Sequence, residues 1–520
     1  MNLRLIGGEM QVWSDLDGRH GPGPVRGPVL APLLGTASGR TLVLGPLDPT
    51  LLDAVPVDEV TVLVRGIPDA EALAVRLAAR PGVTVLCGSP EKLATEPAYD
   101  TVIALDGLER LGSTEGADLS WADALGLLVA ALRPGGRLLL AAENHLGLHR
   151  LVALPAEVTD TDWAGAGEYD PDRPAGLDRL RARLAAAGLF VTDTHAAWPT
   201  AIAPTALLRP RLLANPEVIG FLQATLGRAC EPLGEVLTDP GRLAARALRH
   251  GAATELAPAW ILQAERIAPA PGPSGSPAVA QAPAAGGAAL PDALISVDDG
   301  RHDVVNGPGG ALVLCRPDGG TQAVPTGRTL EDLLIVAALR RELPTVRELL
   351  RRWQAGGYAG VPADRIVATR GRELAPLAPA GPPPAALRRL AARLLDAGLG
   401  HLWPSPADPA ELALTLAALA GRVEPVAPAG DEPGRPDALA YRELLMSRDR
   451  LSRELAEARE REAWYERTLA ACEGELRRAR GMLALLSGTP TARAGKLFLA
   501  GARRARRTAG AAVRRVLPRE

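Results

Sequence analysis

Between residues 41 and 198, short apolar runs alternate with amphipathic stretches, and no other feature constrains the fold as much. The strand-like runs are TLVLG (41–45), EVTVLVRG (59–66), GVTVLCG (82–88), YDTVIALD (99–106), GRLLLAAEN (136–144) and FVTDTHAAW (190–198). Between them lie DAEALAVRLAAR (69–80), WADALGLLVAALR (121–133) and GLDRLRARLAAAGL (176–189), each with helical spacing of its apolar residues. Strands apolar on both faces and separated by helices predict a parallel sheet covered on both sides. The fold class expected is therefore α/β.

A chain of 520 residues is too long for one core. Composition divides it. An N-terminal segment covers 1–34, the α/β unit 35–205, and a helical extension with proline breaks 206–268. The Pro/Ala/Gly/Ser stretch 269–289 reads as a flexible linker, and short strands followed by helices predict a smaller α+β accessory domain over 290–422. A second Pro-rich linker (423–437) leads to a long helix, 438–486, in which steps of three and four pass through Tyr441, Leu444, Arg448, Leu451, Leu455, Ala458, Glu462, Tyr465, Leu469, Cys472, Leu476, Ala479 and Leu483. Arg448 and Glu462 interrupt that seam, which predicts a C-terminal coiled coil and a homo-oligomer. An amphipathic helix folded onto its own chain is the competing reading.

The tail 487–520 is basic, with nine Lys or Arg against one Glu after residue 492. Interleaved with small and apolar residues, it suits an anionic membrane surface or a free, solvated end. The formal net charge of −2 argues against a nucleic-acid partner. Four widely spaced cysteines offer neither a CxxC zinc spacing nor a disulfide framework, so no metal is expected. No uncharged apolar run reaches the length of a membrane span. The expected location is the cytoplasm, with the tail at the inner membrane face.

The stretches YDTVIALDGLERL (99–111) and LLVAALRPGGRLLLAAEN (127–144) carry a family resemblance. A strand ending in polar residues, a Leu-Glu-containing turn, a helix, Arg-Pro-Gly-Gly and a further strand resemble the class I S-adenosylmethionine-dependent methyltransferases, of an actinobacterial multi-domain type. The resemblance covers about residues 35–200 and implies a Rossmann-like sheet. It further implies methyl transfer from S-adenosylmethionine to a small-molecule or glycan acceptor, in which catalysis is largely alignment. Asp106, Glu143 or His145 would take the proton.

The cofactor residues that the family implies are mostly altered. Gly45 matches the first glycine of the glycine-rich loop, but Val43 stands at the acidic position, and Leu47 and Pro49 replace later glycines. Asp48 either faces the cofactor or caps the next helix. Arg65 stands where a carboxylate would accept from the ribose hydroxyls, and a guanidinium has no acceptor. It would face an anionic ligand or lie free in solvent. Ser89 would meet adenine, and Asp106 ends the fourth strand of the unit. His145 and His149, four apart, are either ligands or ordinary packing histidines. The alternative is a catalytically inactive methyltransferase-fold scaffold that oligomerises by its coil and docks by its tail.

Overall fold

The computed structural model describes residues 2–19, 22–93, 97–153, 170–234, 236–267, 290–371, 373–403, 408–422, 448, 455, 459, 461–482 and 490–513. Both expected linkers, the seam residues Tyr441, Leu444, Leu451, Ala458 and Leu483 and the end of the tail lie outside these residues. Two compact units divide the chain, Met1–Ala427 and Pro428–Glu520.

The first unit is built on one sheet. Its strands in chain order are β1 (Leu3–Gly7), β2 (Thr41–Leu44), β3 (Val60–Val64), β4 (Val83–Gly88), β5 (Tyr99–Ala104) and β6 (Leu132–Glu143). There follow β7 (Leu189–Trp198), β8 (Ala206–Leu208), β9 (Ala259–Arg266), β10 (Ala293–Val297), β11 (Gly300–Asn306), β12 (Leu312–Cys315) and β13 (Thr321–Ala323). Across the sheet the order is β1-β4-β3-β2-β5-β6-β9-β7-β8-β10-β11-β12-β13. Pairing is parallel from β1 to β6 and antiparallel from β6 onward.

The segment β4-β3-β2-β5-β6 has the doubly wound order in which the chain reverses direction between its first and fourth strands, here β2 and β5. Ligands of such sheets sit beyond the carboxyl ends of the strands at that switch point. Alternation along the strands explains why both faces are covered. Leu42 and Leu44 join one core cluster and Val43 the other, as do Val102 and Ala104 against Ile103. Val43, at the position where the family has its acidic residue, is therefore a core side chain.

Two expectations need correction. The region 206–268 is not all helical, because AWILQAER, apolar and preceded by Pro258, forms β9 and inserts between β6 and β7. Residues 293–323 do not stand apart as accessory strands, because β10 pairs with the short edge strand β8 and the large sheet continues through β13. The rest of 290–422 does have a core of its own. Helices Leu330–Leu339, Leu343–Ala355, Pro383–Asp396 and Pro409–Leu419 pack around Trp353, Leu350 and Leu390 beside a small sheet of β14 (Gly327–Thr329), β15 (Ile366–Thr369) and β16 (Leu374–Pro376). The N-terminal segment supplies β1 and, over residues 10–17, a strap that bridges Gly66 through Met10.

In the second unit, 461–482 is helical and Pro490–Val513 forms a 24-residue helix. No helix among the described residues is long and apolar enough to cross a membrane.

Candidate functional site

The carboxyl ends of β2, β3, β4 and β5 bring together Gly45, Arg65, Ser89 and Asp106. Gly45 follows β2 with φ 86°, and a Cβ there would stand 3.1 Å from the Cβ of Asp106. Only glycine takes that conformation cheaply. This close approach belongs to the switch point itself.

Arg65 is not solvent-exposed. It ends an apolar strand, is only 7% exposed, and forms a two-point ion pair with Asp15: Nε donates to Oδ2 at 2.8 Å and Nη2 to Oδ1 at 2.7 Å. Its Nη1 donates to the Gly112 carbonyl at 2.9 Å, and the guanidinium stacks 5.3 Å from the Trp13 ring centroid. Trp13 in turn donates from Nε1 to Asp15 at 3.0 Å. Burial pushes the Asp15 carboxyl up, but the hydrogen bonds and charge of Arg65 outweigh it, and the net shift is downward.

Asp15 belongs to a strap, residues 10–17, laid across the end of β3 and the start of helix Ile67–Arg76. Met10 bridges Gly66, donating to the Arg65 carbonyl at 2.9 Å and accepting from Ile67 at 3.0 Å. A buried carboxylate, Asp69 in the first turn of helix Ile67–Arg76, holds the strap from below. It accepts from the Ser14 hydroxyl, from the Asp15 amide at 2.8 Å and from the Leu16 amide at 3.3 Å. Gly66 leaves room for this: a Cβ there would overlap the Trp13 carbonyl oxygen. Residues 23–25 close the other side. Val25 donates to the Pro46 carbonyl and accepts from the Asp48 amide, each at 2.8 Å.

Asp48 acts as a helix cap, its carboxylate accepting from the Thr50 amide at 2.8 Å and the Thr50 hydroxyl at 2.6 Å. Ser89 is fully buried and donates to Glu91. The Asp106 side chain is fully buried as well; it accepts from Arg110 on Oδ1, and Oδ2 has no hydrogen-bond partner. Burial pushes its pKa up to about 7 against the opposing pull of Arg110.

Glu143 ends β6, and His145, the other candidate base, lies just beyond it. Glu143 accepts from His149 at 2.8 Å and Arg150 at 2.9 Å, and despite partial burial these partners depress its pKa to about 2. Burial, then Arg173 and Arg150, lower the pKa of His145. A carboxylate this acidic is a poor proton acceptor at neutral pH. His149 has a carboxylate partner, and among the described residues no group of three His, Cys, Asp or Glu could hold a metal.

Among the described residues, Asp15, Gly45, Arg65 and Arg110 border a cavity of about 10 Å³ at the switch point. That is room for a single water, whereas a ligand the size of a nucleoside needs on the order of 300 Å³ or more. In this closed arrangement the residues present do not fit S-adenosylmethionine. Arg65, which the resemblance sets at the ribose carboxylate, is buried and paired with Asp15, and Leu47 and Pro49 stand where the resembled family has glycines.

Sequence reasoning did not find Trp13, Asp15, Asp69 or Arg110. One signal was available: an arginine closing the apolar run VLV must find a carboxylate when buried. Sequence alone does not say which carboxylate, because Asp15 lies 50 positions away.

No family model matches this chain, and no curated protein matches it. Solved structures do. The cyclase SpnF aligns at 16% identity over 46% of this chain and 80% of its own, with a TM-score of 0.26. The N-methyltransferase NodS from Bradyrhizobium japonicum WM9 aligns at 11% identity over 49% and 97%, TM-score 0.26. An S-adenosylmethionine-dependent methyltransferase from Mesorhizobium loti aligns at 15% identity over 46% and 98%, TM-score 0.26. The strand order and its switch point give a Rossmann-like α/β fold.

Proposed function

We propose that the methyltransferase-like part of this chain works with its cofactor crevice closed by its own N-terminal strap, as a non-catalytic module. The observation that carries this reading is the Asp15–Arg65 pair, buried where the family resemblance calls for a ribose-binding carboxylate and an open crevice. Calorimetric titration of S-adenosylmethionine and S-adenosylhomocysteine into the full chain tests it. Absence of saturable heat at millimolar ligand supports closure; micromolar binding refutes it.

One observation favours the second reading, methyl transfer to a small-molecule or glycan acceptor. Asp106 is buried at the switch point with a pKa of about 7 and a free Oδ2, as a general base would be. That reading requires the strap to leave, and the same titration decides between the two.

The second unit supplies the module's placement in this proposal. Within 461–482, Tyr465, Leu469 and Leu476 of the seam are exposed, a stripe suited to a second copy of the same helix. In helix Pro490–Val513, Phe498 is 82% exposed, and Lys496, Arg503, Arg504 and Arg506 lie close by in sequence. A basic amphipathic helix of this kind suits an anionic membrane surface. Cosedimentation with phosphatidylglycerol vesicles, weakened by salt and by Phe498→Ser, is the expected result; equal binding to phosphatidylcholine would contradict it.

A further inference from the structure

A larger cavity lies away from the switch point, between the added strands β10–β13 and the helix Ile219–Ala229. Its volume is about 370 Å³, within the range of small-molecule sites. Two periodicities converge on it. Phe221, Ala224, Thr225 and Arg228 come from one face of the helix at spacings of three and four, while Ile295 and Val297 come from one face of β10. Phe221, Ile295 and Leu314 are buried and make an apolar floor.

The polar lining includes three guanidinium groups, Arg228, Arg316 and Arg365, beside Thr225, His302 and Gln322, and Arg316 donates to the Gln322 side-chain oxygen at 2.7 Å. The carboxylates beside them face water. Asp298, paired with Arg228 at 2.9 Å, has a side chain 86% exposed, and the Asp299 side chain is 67% exposed. Arg365 is held at the cavity by Glu231, yet its Nε is buried and has no hydrogen-bond partner. A buried donor left unpaired beside a cavity is costly unless something in the cavity accepts from it.

We propose that this cleft binds a small amphipathic anion, an apolar chain or ring ending in a carboxylate or phosphate. The apolar part rests on Phe221, Ile295 and Leu314, and the oxyanion lies among Arg228, Arg316 and Arg365. Guanidinium suits both head groups because its planar fork matches their oxygens in pairs. The proposal is independent of whether the crevice at the switch point binds a cofactor.

Octanoate, octyl phosphate and uncharged 1-octanol titrated into the full chain test it. Saturable binding of either anion with a Kd below about 1 mM, and at least about tenfold weaker binding of the alcohol, is expected. The tighter of the two anions identifies the head group. Ala378→Phe, which fills the cavity, should abolish binding, and Arg316→Ala, at an exposed position, should weaken it about tenfold by removing a charged partner. The proposal fails if neither anion binds. It also fails if both variants bind as tightly as the parent chain, because the ligand is then held elsewhere; if Ala378→Phe does not fold, Arg316→Ala alone decides.

Discussion

Asp15→Asn removes the negative charge facing Arg65 and changes little else in shape. The Arg65 side chain is 8% exposed and Asp15 4%, so water cannot replace the lost partner. Breaking a buried pair from one side costs about 3–5 kcal/mol, since an uncompensated charge is left behind. The asparagine oxygen can still accept one bond, which returns about 1 kcal/mol, so a net loss of about 2–4 kcal/mol is expected. Replacing both partners with apolar groups, Asp15→Leu with Arg65→Met, removes the charge problem and should cost less than the single change. Urea unfolding of the full chain, followed by tryptophan fluorescence, reads this as a shift in midpoint at constant slope. A single-variant loss under about 1 kcal/mol, or a double-variant loss equal to the sum of the two single losses, would refute the reasoning.

Other perturbations follow from the same geometry. Gly66→Ala sets a Cβ against the Trp13 carbonyl and should destabilise by about 1–3 kcal/mol while loosening the strap, seen as a lower melting temperature and faster proteolysis near residue 15. Asp106 has a folded pKa raised to about 7, so it binds its proton more tightly in the folded state. Its contribution is full below the ordinary carboxylate range and is lost as pH rises through about 7. Asp106→Asn should flatten the fall in stability over that window, and an unchanged slope would remove Asp106 from the account. Glu331, raised to about 7 chiefly by burial, leaves a residual slope in the same window. Leu469→Asp, on the exposed seam, should lower the mass measured by light scattering to that of a single chain, and an unaltered oligomer would rule out the seam.

The parallel half of the sheet was legible because its strands are apolar on both faces and bounded by Gly or Pro turns, as in TLVLG and GVTVLCG. β9 was not, because a strand inserted out of chain order between β6 and β7 carries no local sign of its neighbours. The same holds for β10, whose pairing with β8 spans the Pro-rich stretch 269–289. The candidate site was half visible. The residues Val43, Leu47, Pro49 and Arg65 marked this end of the sheet as departing from the resembled pattern, but not what stands there in its place. The replacement lies in WSDLD (13–17), a polar segment with no periodicity, whose role rests on two long-range carboxylate partnerships: Asp15 with Arg65 and Asp69 with the strap backbone.

Hydrogen–deuterium exchange of the strap in the full chain, with and without millimolar S-adenosylhomocysteine, tests the closed crevice most directly. The Asp15 and Leu16 amides both donate to buried Asp69, so they should be strongly protected and unaffected by the ligand. Fast exchange at both amides, or protection that changes when the ligand is added, would mean that the strap opens and that the crevice is a working cofactor site.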